Sequence, residues 1–259
     1  MNLIFLQFIS FIVLSLFAIG IIILERVFPY NSNQQFLRSG FWTDLIFYNL
    51  FQTFFLGILI SYLIQFVDNS TQISRLKIIS NWPIFLQILF FVISHDLYIY
   101  WFHKLQHKNK YLWRLHEAHH SSKEVDWLSG VRSHSIEIII NQTIEFLPIV
   151  LLGAAPEVAV LKGLISGIWG MYIHSNIDVN SGIFQYIING PEMHRLHHSI
   201  GKGRNNNFST KIAVWDWVFG TSYFPKNEKA IEYGLKTFFP KNYFKQFLFA
   251  FRKYKKKED

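Results

Sequence analysis

Ile84-Phe-Leu-Gln-Ile-Leu-Phe-Phe-Val-Ile-Ser-His95-Asp96-Leu-Tyr-Ile-Tyr-Trp-Phe-His103-Lys-Leu-Gln-His107 is the stretch that decides the fold. Its first ten residues are apolar but for one glutamine, and no turn signal separates them from the histidines that follow. One continuous helix therefore carries a membrane-spanning half and, at its aqueous end, His103 and His107 four positions apart on one face. Ionisable groups are costly at the centre of a bilayer and tolerated near its interface, where Tyr98, Tyr100 and Trp101 also belong.

Beyond this helix lie two more clusters, His116-Glu-Ala-His119-His120 and His194-Arg-Leu-His197-His198. All eleven histidines of the chain fall between His95 and His198. Neutral imidazole is the commonest side-chain ligand of transition metals. A tetrahedral site takes four ligands at most, so eight clustered histidines exceed the need of one such ion and point to two. Cysteine is absent, which excludes disulfides, iron-sulfur clusters and thiolate-zinc sites. There is no glycine-rich phosphate loop, and no internal repeat beyond the recurring His-x-x-His-His.

Composition places the chain in a membrane: 51% of its 259 residues are hydrophobic and 18% aromatic, more than a soluble domain of this size buries. Residues 2–24 carry no charge and are long enough to cross the hydrocarbon; they read as a signal anchor, since a basic start and a small-residue cleavage site are missing. Residues 45–67 form a second apolar stretch. Residues 136–152 and 158–173, punctuated by Gly153 and Pro156, predict a helical hairpin that returns His174 and the third cluster to the first two. Glu137, Glu145 and Glu157 leave open whether this pair spans fully or is re-entrant or buried in the bundle. The expected fold is all-α, a polytopic integral membrane helical bundle with a cytoplasmic, histidine-rich metal-binding cap. Residues 1–93 would supply N-terminal transmembrane helices, 94–221 the histidine-cluster region with its hairpin at about 136–173, and 222–259 a basic, aromatic interfacial tail.

Charge orients this arrangement. Six lysines and arginines lie in residues 103–135 and fourteen from His174 onward, out of twenty-five, so the positive-inside rule predicts the clusters on the cytoplasmic side. Residues 243–251, followed by Arg252-Lys-Tyr-Lys-Lys-Lys257, read as an interfacial helix held to anionic lipid. The net charge of +8 does not signal nucleic-acid binding, because the basic residues flank apolar spans.

The stretch His95-Asp-Leu-Tyr-Ile-Tyr-Trp-Phe-His103-Lys-Leu-Gln-His107, the segment Leu112-Trp-Arg-Leu-His116-Glu-Ala-His119-His120-Ser and the cluster His194-Arg-Leu-His197-His198 together resemble the membrane-bound fatty acid hydroxylase and sterol desaturase superfamily. Val131-Arg-Ser-His134-Ser-Ile-Glu137, Tyr172-Ile-His174-Ser-Asn176 and Trp215-Asp216-Trp-Val-Phe-Gly-Thr221 extend the resemblance. It covers residues 94–221; the first ninety residues match only in being apolar. It implies a non-haem di-iron centre that uses O2 to hydroxylate or desaturate a C–H bond of a membrane lipid, whether fatty acyl, sterol-like or ether lipid. The ligands it implies are His103, His107, His116, His119, His120, His194, His197 and His198, with His174 a ninth. His95 and His134 stand outside the clusters, as ligands, as donors behind the ligands or as structural histidines. An external electron donor, a separate electron-transfer protein or reductase, is implied because the chain carries no cofactor domain of its own.

Asp96, Glu117, Glu137, Asp178 and Glu192 lie near ligands and are candidates to orient imidazole N–H groups. Arg204 and Ser209 depart from the family's pattern, so residues 205–207 read as a polar turn, and Trp215, Trp217 and Phe219 as packing residues. Two other chemistries use the same clusters. His116-Glu117-x-x-His120 matches the zincin signature, with Glu117 as general base of a membrane zinc metalloprotease, but that leaves the other six clustered histidines without a role. A non-catalytic metal-binding or transport protein usually sets its ligands near the bilayer midplane, unlike these interfacial clusters.

Overall fold

A computed structural model describes residues 2–225 and 229–253. Among them the chain is all-helical, with backbone pairing outside helices limited to three isolated bridges. Helix α1 (Leu3–Val27) is followed by a π-helical segment (Thr43–Phe51) that continues directly into α2 (Gln52–Thr71). Then come α3 (Ile84–Lys108), α4 (Lys110–His116), α5 (Ser135–Leu151), α6 (Pro156–His174), α7 (Pro191–His198), α8 (Val214–Val218) and α9 (Tyr243–Phe249).

Three of these units, Leu3–Val27, Thr43–Thr71 and Ile84–Lys108, are long and apolar enough to cross a membrane. At 1.5 Å per residue a helix of this length reaches about 37 Å, against a hydrocarbon core of about 30 Å. Their outer faces carry exposed Phe8, Phe11, Leu16, Phe54, Phe66 and Phe85, a surface that water would penalise and lipid does not. The continuity read in the sequence is present: α3 runs unbroken from Ile84 to Lys108, through both of its cluster histidines.

The hairpin expected at 136–173 is formed by α5 and α6, joined at residues 152–155. Pro156 opens α6 at a position where its missing N–H costs nothing. Gly153 has a φ of 69°, and a Cβ there would lie 2.8 Å from Lys77 Cα, so the turn tolerates only glycine. The pair is packed inside the bundle: α1 lies along α6, α2 along α5, and α3 touches both. Helix α5, at 17 residues, is short of the ~20 that a span requires.

The first ninety residues do more than span. Glu25, on the last turns of α1, accepts the backbone N–H groups of Trp127 and Asn176 at 2.8 Å each. Arg38 forms a two-pronged contact with Asp126, with both distances 2.7 Å, and reaches Asp44 at 2.7 Å; Asp44 also meets Arg132 at 2.6 Å. All four groups are buried. A charge removed from water is tolerable only when paired and hydrogen-bonded, and the planar guanidinium matches two carboxylates at once. This network ties the π-helical segment and the residues just before it to the loop between α4 and α5.

Helix α9 lies against the π-helical segment, with Tyr243 stacked on Phe47 at 5.0 Å and its hydroxyl accepting from Gln52. Phe244, Leu248 and Phe251 remain exposed. Of the basic run that follows, residues 254–257 lie outside the described residues.

Replacing Arg38 with alanine leaves Asp44 and Asp126 short of a buried partner and is expected to cost about 3–5 kcal/mol. Thermal unfolding of the detergent-purified variant should show a clear drop in midpoint; an unchanged midpoint would contradict the role given to this network.

Candidate metal centre

Nine of the eleven histidines converge in two adjacent groups. One holds His103, His107, His116, His120 and His197; the other holds His119, His174, His194 and His198. Within each group one nitrogen per ring lies within 4.8 Å of the corresponding atoms of its neighbours. The groups touch: the rings of His120 and His198 stack at 4.6 Å, and those of His116 and His119 are 4.9 Å apart. All are buried except His107, which is half-buried.

Local rules place each ring. The last turns of α3 present His103 and His107 on one face. Asn109 caps α4 by accepting from the N–H groups of Tyr111 and Leu112, and α4 ends on His116. The 3-10 turn His119–Ser121 then swings His119 and His120 inward, one into each group. Helix α6 ends on His174. Helix α7 starts at Pro191 with Glu192 in its first turn, both favourable at a helix N-terminus, and its spacing brings His194, His197 and His198 together.

The hydrogen bonds on the far side of the rings decide what the near side offers. Nδ1 of His103 meets the Phe208 carbonyl at 2.8 Å, that of His119 the Arg132 carbonyl at 3.0 Å, and that of His174 the Gly170 carbonyl at 2.8 Å. Nδ1 of His197 meets the Asn206 carbonyl at 2.8 Å, and that of His116 the Glu137 carboxylate at 2.9 Å. A carbonyl or carboxylate only accepts, so these five rings carry their proton on Nδ1 and leave Nε2 as a bare lone pair. Nε2 of His103, His116 and His197 is buried with no hydrogen-bond partner. Nε2 of His119 and His174 stand 3.3 Å apart, lone pair toward lone pair. Burial, with neighbouring imidazoles a second cause, holds His116, His120, His194, His197 and His198 well below the usual imidazole range, and so in the neutral form. Orphaned, inward-facing, unprotonated nitrogens in two groups are a donor set that fits two transition-metal ions.

The carboxylates named in the sequence have different tasks. Glu137 Oε1 accepts from both His116 and Gln106, and so orients an imidazole directly. Asp96 contacts no histidine through its hydrogen bonds: it accepts from Thr210 Oγ1, the N–H groups of Lys211 and Ile212, and the Trp215 ring, pinning that loop to α3. Glu117 is held by Arg252 through two 2.8 Å contacts. Asp178 pairs with exposed Lys229, and Glu192 accepts from the Ser181 N–H. His134 caps α5 by accepting from the Ile136 N–H and donates Nε2–H to the Phe247 carbonyl, so both its nitrogens are engaged. His95 lies outside both groups, beside Lys162 and Glu145.

Several supporting residues lie in the quoted motifs but were given no supporting role by the sequence. Asp216 accepts the N–H groups of Phe208 and Ser209 and the Thr221 hydroxyl, fixing the segment whose carbonyls receive His103 and His197. Asn207, read as part of a polar turn, is fully buried with a φ of 55°, and its amide bonds Met193 and Tyr223. Buried Arg195 donates to the Val125 and Ser175 carbonyls beneath α7. Trp217 and Phe219 pack against Tyr186 and Tyr100, as expected. A cavity of about 230 Å³ has His103, His116, His119, His174 and His194 in its wall and extends between α3, α5 and α6.

The fold and site define an all-helical integral membrane protein with a buried polyhistidine centre able to hold two metals. Residues 88–221 match the fatty acid hydroxylase family, and the chain belongs to it. It is 28% identical over 180 residues to ornithine lipid hydroxylase OlsE of Rhizobium tropici, covering 69% of this chain and 54% of that protein. It is 31% identical over 143 residues to human (Homo sapiens) alkylglycerol monooxygenase, covering 54% of this chain and 31% of the relative. To a putative Delta(7)-sterol-C5(6)-desaturase 2 of Arabidopsis thaliana it is 30% identical over 155 residues, 58% of this chain and 53% of the relative. The chain thus spans about half or less of the length of these curated relatives. No solved structure matches it.

Gly130 has no room for a side chain, since a Cβ there would lie 2.6 Å from His174 Nδ1. Gly130→Ala is expected to displace that ring and lower the affinity of the four-histidine group for metal by about 10–100-fold, the range seen when a ligand's support is lost. Metal titration of purified variant and wild type checks this; equal affinity for both ions would refute it.

Proposed function

We propose that this protein oxidises a C–H bond of a membrane lipid with O2, by hydroxylation or desaturation, at two iron ions held by the nine grouped histidines. The observation that carries this reading is the pair of adjacent histidine groups, in which five of nine rings have Nδ1 protons tied back and Nε2 lone pairs bared, and five rings stand in the wall of a cavity inside a helical bundle. The relatives named as lipid hydroxylase, monooxygenase and sterol desaturase support the same chemistry.

In this reading His103, His107, His116, His120 and His197 hold one ion, and His119, His174, His194 and His198 the other. Iron, once bound, supplies O2 activation and an oxidising strength that acid–base side chains lack. The protein's part is positional. Backbone carbonyls and Glu137 hold the rings, burial keeps them neutral and water away, and the cavity between α3, α5 and α6 brings a carbon chain to the groups. Hydroxylation of R–H consumes one O2, two electrons and two protons and yields R–OH and water, so an external reductant is required. In this reading the face lies in the cytoplasm, which the lysine- and arginine-rich segments support, and a separate electron-transfer protein delivers those electrons. Residues 94–221 carry the chemistry in this scheme, 1–93 the membrane embedding and support, and 222–259 an interfacial closure against anionic lipid.

Protein purified from iron-replete cells is expected to contain about two irons per chain and to consume O2 only with reductant and lipid. His197→Ala and His194→Ala should each lower the iron content and abolish lipid oxidation. One zinc per chain, with peptidase activity that survives His194→Ala, would overturn the proposal.

A further inference from the structure

The cavity beside the histidine groups has a neighbour. A second cavity, of about 480 Å³, lies between α1, α6 and residues 179–190. Phe17, Ile168, Val179, Phe184 and Ile188 line it, and no charged side chain among the described residues does. The inner cavity, at about 230 Å³, is smaller than a usual ligand site, whereas the outer one falls within the usual range.

Helix α6 stands between the two. Ser166, Gly170, Ile173 and His174 border the inner cavity, Ile168 and Tyr172 the outer one, and Trp169 borders both. At about 100° per residue, position 169 falls at the edge shared by these two faces, about 7–8 Å along the axis from His174. Elsewhere the division is fixed by backbone. Ile188 borders the outer cavity and Lys211 the inner one, and the Asn189 N–H donates to the Lys211 carbonyl at 2.9 Å beside the Ile188–Ile212 bridge.

The indole is not fixed in this way. Among the described residues its Nε1–H has no hydrogen-bond partner, and its ring meets Tyr172 edge-on at 5.9 Å. Space lies beside it: a Cβ on Gly170 would, apart from its chain neighbours and its own helix backbone, meet nothing within 4 Å.

The outer mouth faces lipid. Phe17 belongs to the span-length α1, and Ile183, Phe184 and Ile187 near the opposite rim are 76%, 62% and 57% exposed. The 3-10 turn Gly182–Tyr186 is held in this attitude by Trp217, whose ring N–H donates to the Gln185 carbonyl at 3.1 Å and whose ring packs on Tyr186. Apolar surface of this kind beside a spanning helix is matched by hydrocarbon and penalised by water. A further cavity, between α2 and α5, also meets the inner one, at Gln142, but Gln65, Asp68 and Asn69 line it, side chains that disfavour a hydrocarbon chain.

We infer that the hydrocarbon chain of a bilayer lipid enters sideways through the outer cavity and passes the Trp169 indole, which swings aside to admit it to the inner one. The inference rests on the lipid-oxidation reading and adds to it the route and the gate. The passage recognises hydrocarbon, so a simple acyl chain suffices as a probe.

The chain has no cysteine, so Val179→Cys offers a single attachment point at the outer cavity. The full-length protein as purified, in phosphatidylcholine vesicles without an electron donor, is loaded with palmitic acid carrying a mid-chain diazirine and irradiated, and the labelled positions are mapped by mass spectrometry. Labels are expected at Phe184 in the outer cavity and at Ile99 and Ile138 in the inner one. Benzyl methanethiosulfonate, which caps the thiol as a mixed disulfide, should abolish the inner labels, and removal of the cap with dithiothreitol should restore them, as only an intact fold allows. Trp169→Ala, without the cap, should raise inner labelling relative to outer. The route is overturned if the thiol resists the reagent, if no inner position is labelled, or if inner labels survive the cap; inner labelling unchanged in Trp169→Ala overturns the gate. Cap-sensitive labelling in a protein that oxidises no lipid would keep the route and remove the proposed reaction; lipid oxidation that continues undiminished in the capped protein would do the reverse.

Discussion

Everything in this structure depends on holding nearly bare imidazole nitrogens together in a dry place. In five of the nine grouped rings one N–H donates to an oxygen of the protein, so that the other nitrogen faces inward unprotonated. Four backbone carbonyls, those of Arg132, Gly170, Asn206 and Phe208, and one carboxylate, Glu137, perform that task for five rings. A carbonyl is a good anchor only if its own peptide is immobile, and the surrounding architecture serves that requirement. Asp216 and Asn207 lock residues 206–209, and the Arg38, Asp44 and Arg132 ion pairs lock the loop that receives His119.

The membrane helices make the dry place possible. Because α3 continues unbroken from its apolar half into His103 and His107, the histidine groups begin at the end of a span-length helix, and the short α5–α6 pair returns inside the bundle to deliver His174. Close approach at this depth leaves little space. Gly130 stands against His174, and at Gly203 a Cβ would fall 2.3 Å from the Leu196 carbonyl, so glycine is dictated by contact.

The same helices also carry polarity inward. Three members of a buried polar knot, Glu145, Ser166 and His95, share a cavity wall with five of the grouped histidines, and Lys162 bonds them from behind. Membrane bundles resist buried charge unless it is balanced, and here one lysine neutralises a carboxylate and sets a histidine tautomer at once.

Much of this was legible in the chain itself. Helix α3, the hairpin, the all-helical class and the three clusters follow from apolar periodicity and i, i+3, i+4 spacing, which are local properties. The motifs also carried the family. What spacing did not supply was the partition: His119 and His120 are adjacent in sequence yet belong to different groups, because a 3-10 turn rotates neighbouring side chains apart. Nor did it separate Glu137, which orients His116, from Asp96 and Glu117, which hold a loop and an arginine instead. The first ninety residues read as apolar spans, while three of their charges, Glu25, Arg38 and Asp44, bond residues some eighty to one hundred and fifty positions away. The sequence by itself determined which histidines cluster and that they sit on and beside long apolar helices; only the tertiary structure decided which ring joins which group and which oxygen turns it, because those choices are made by contacts between segments that are distant along the chain.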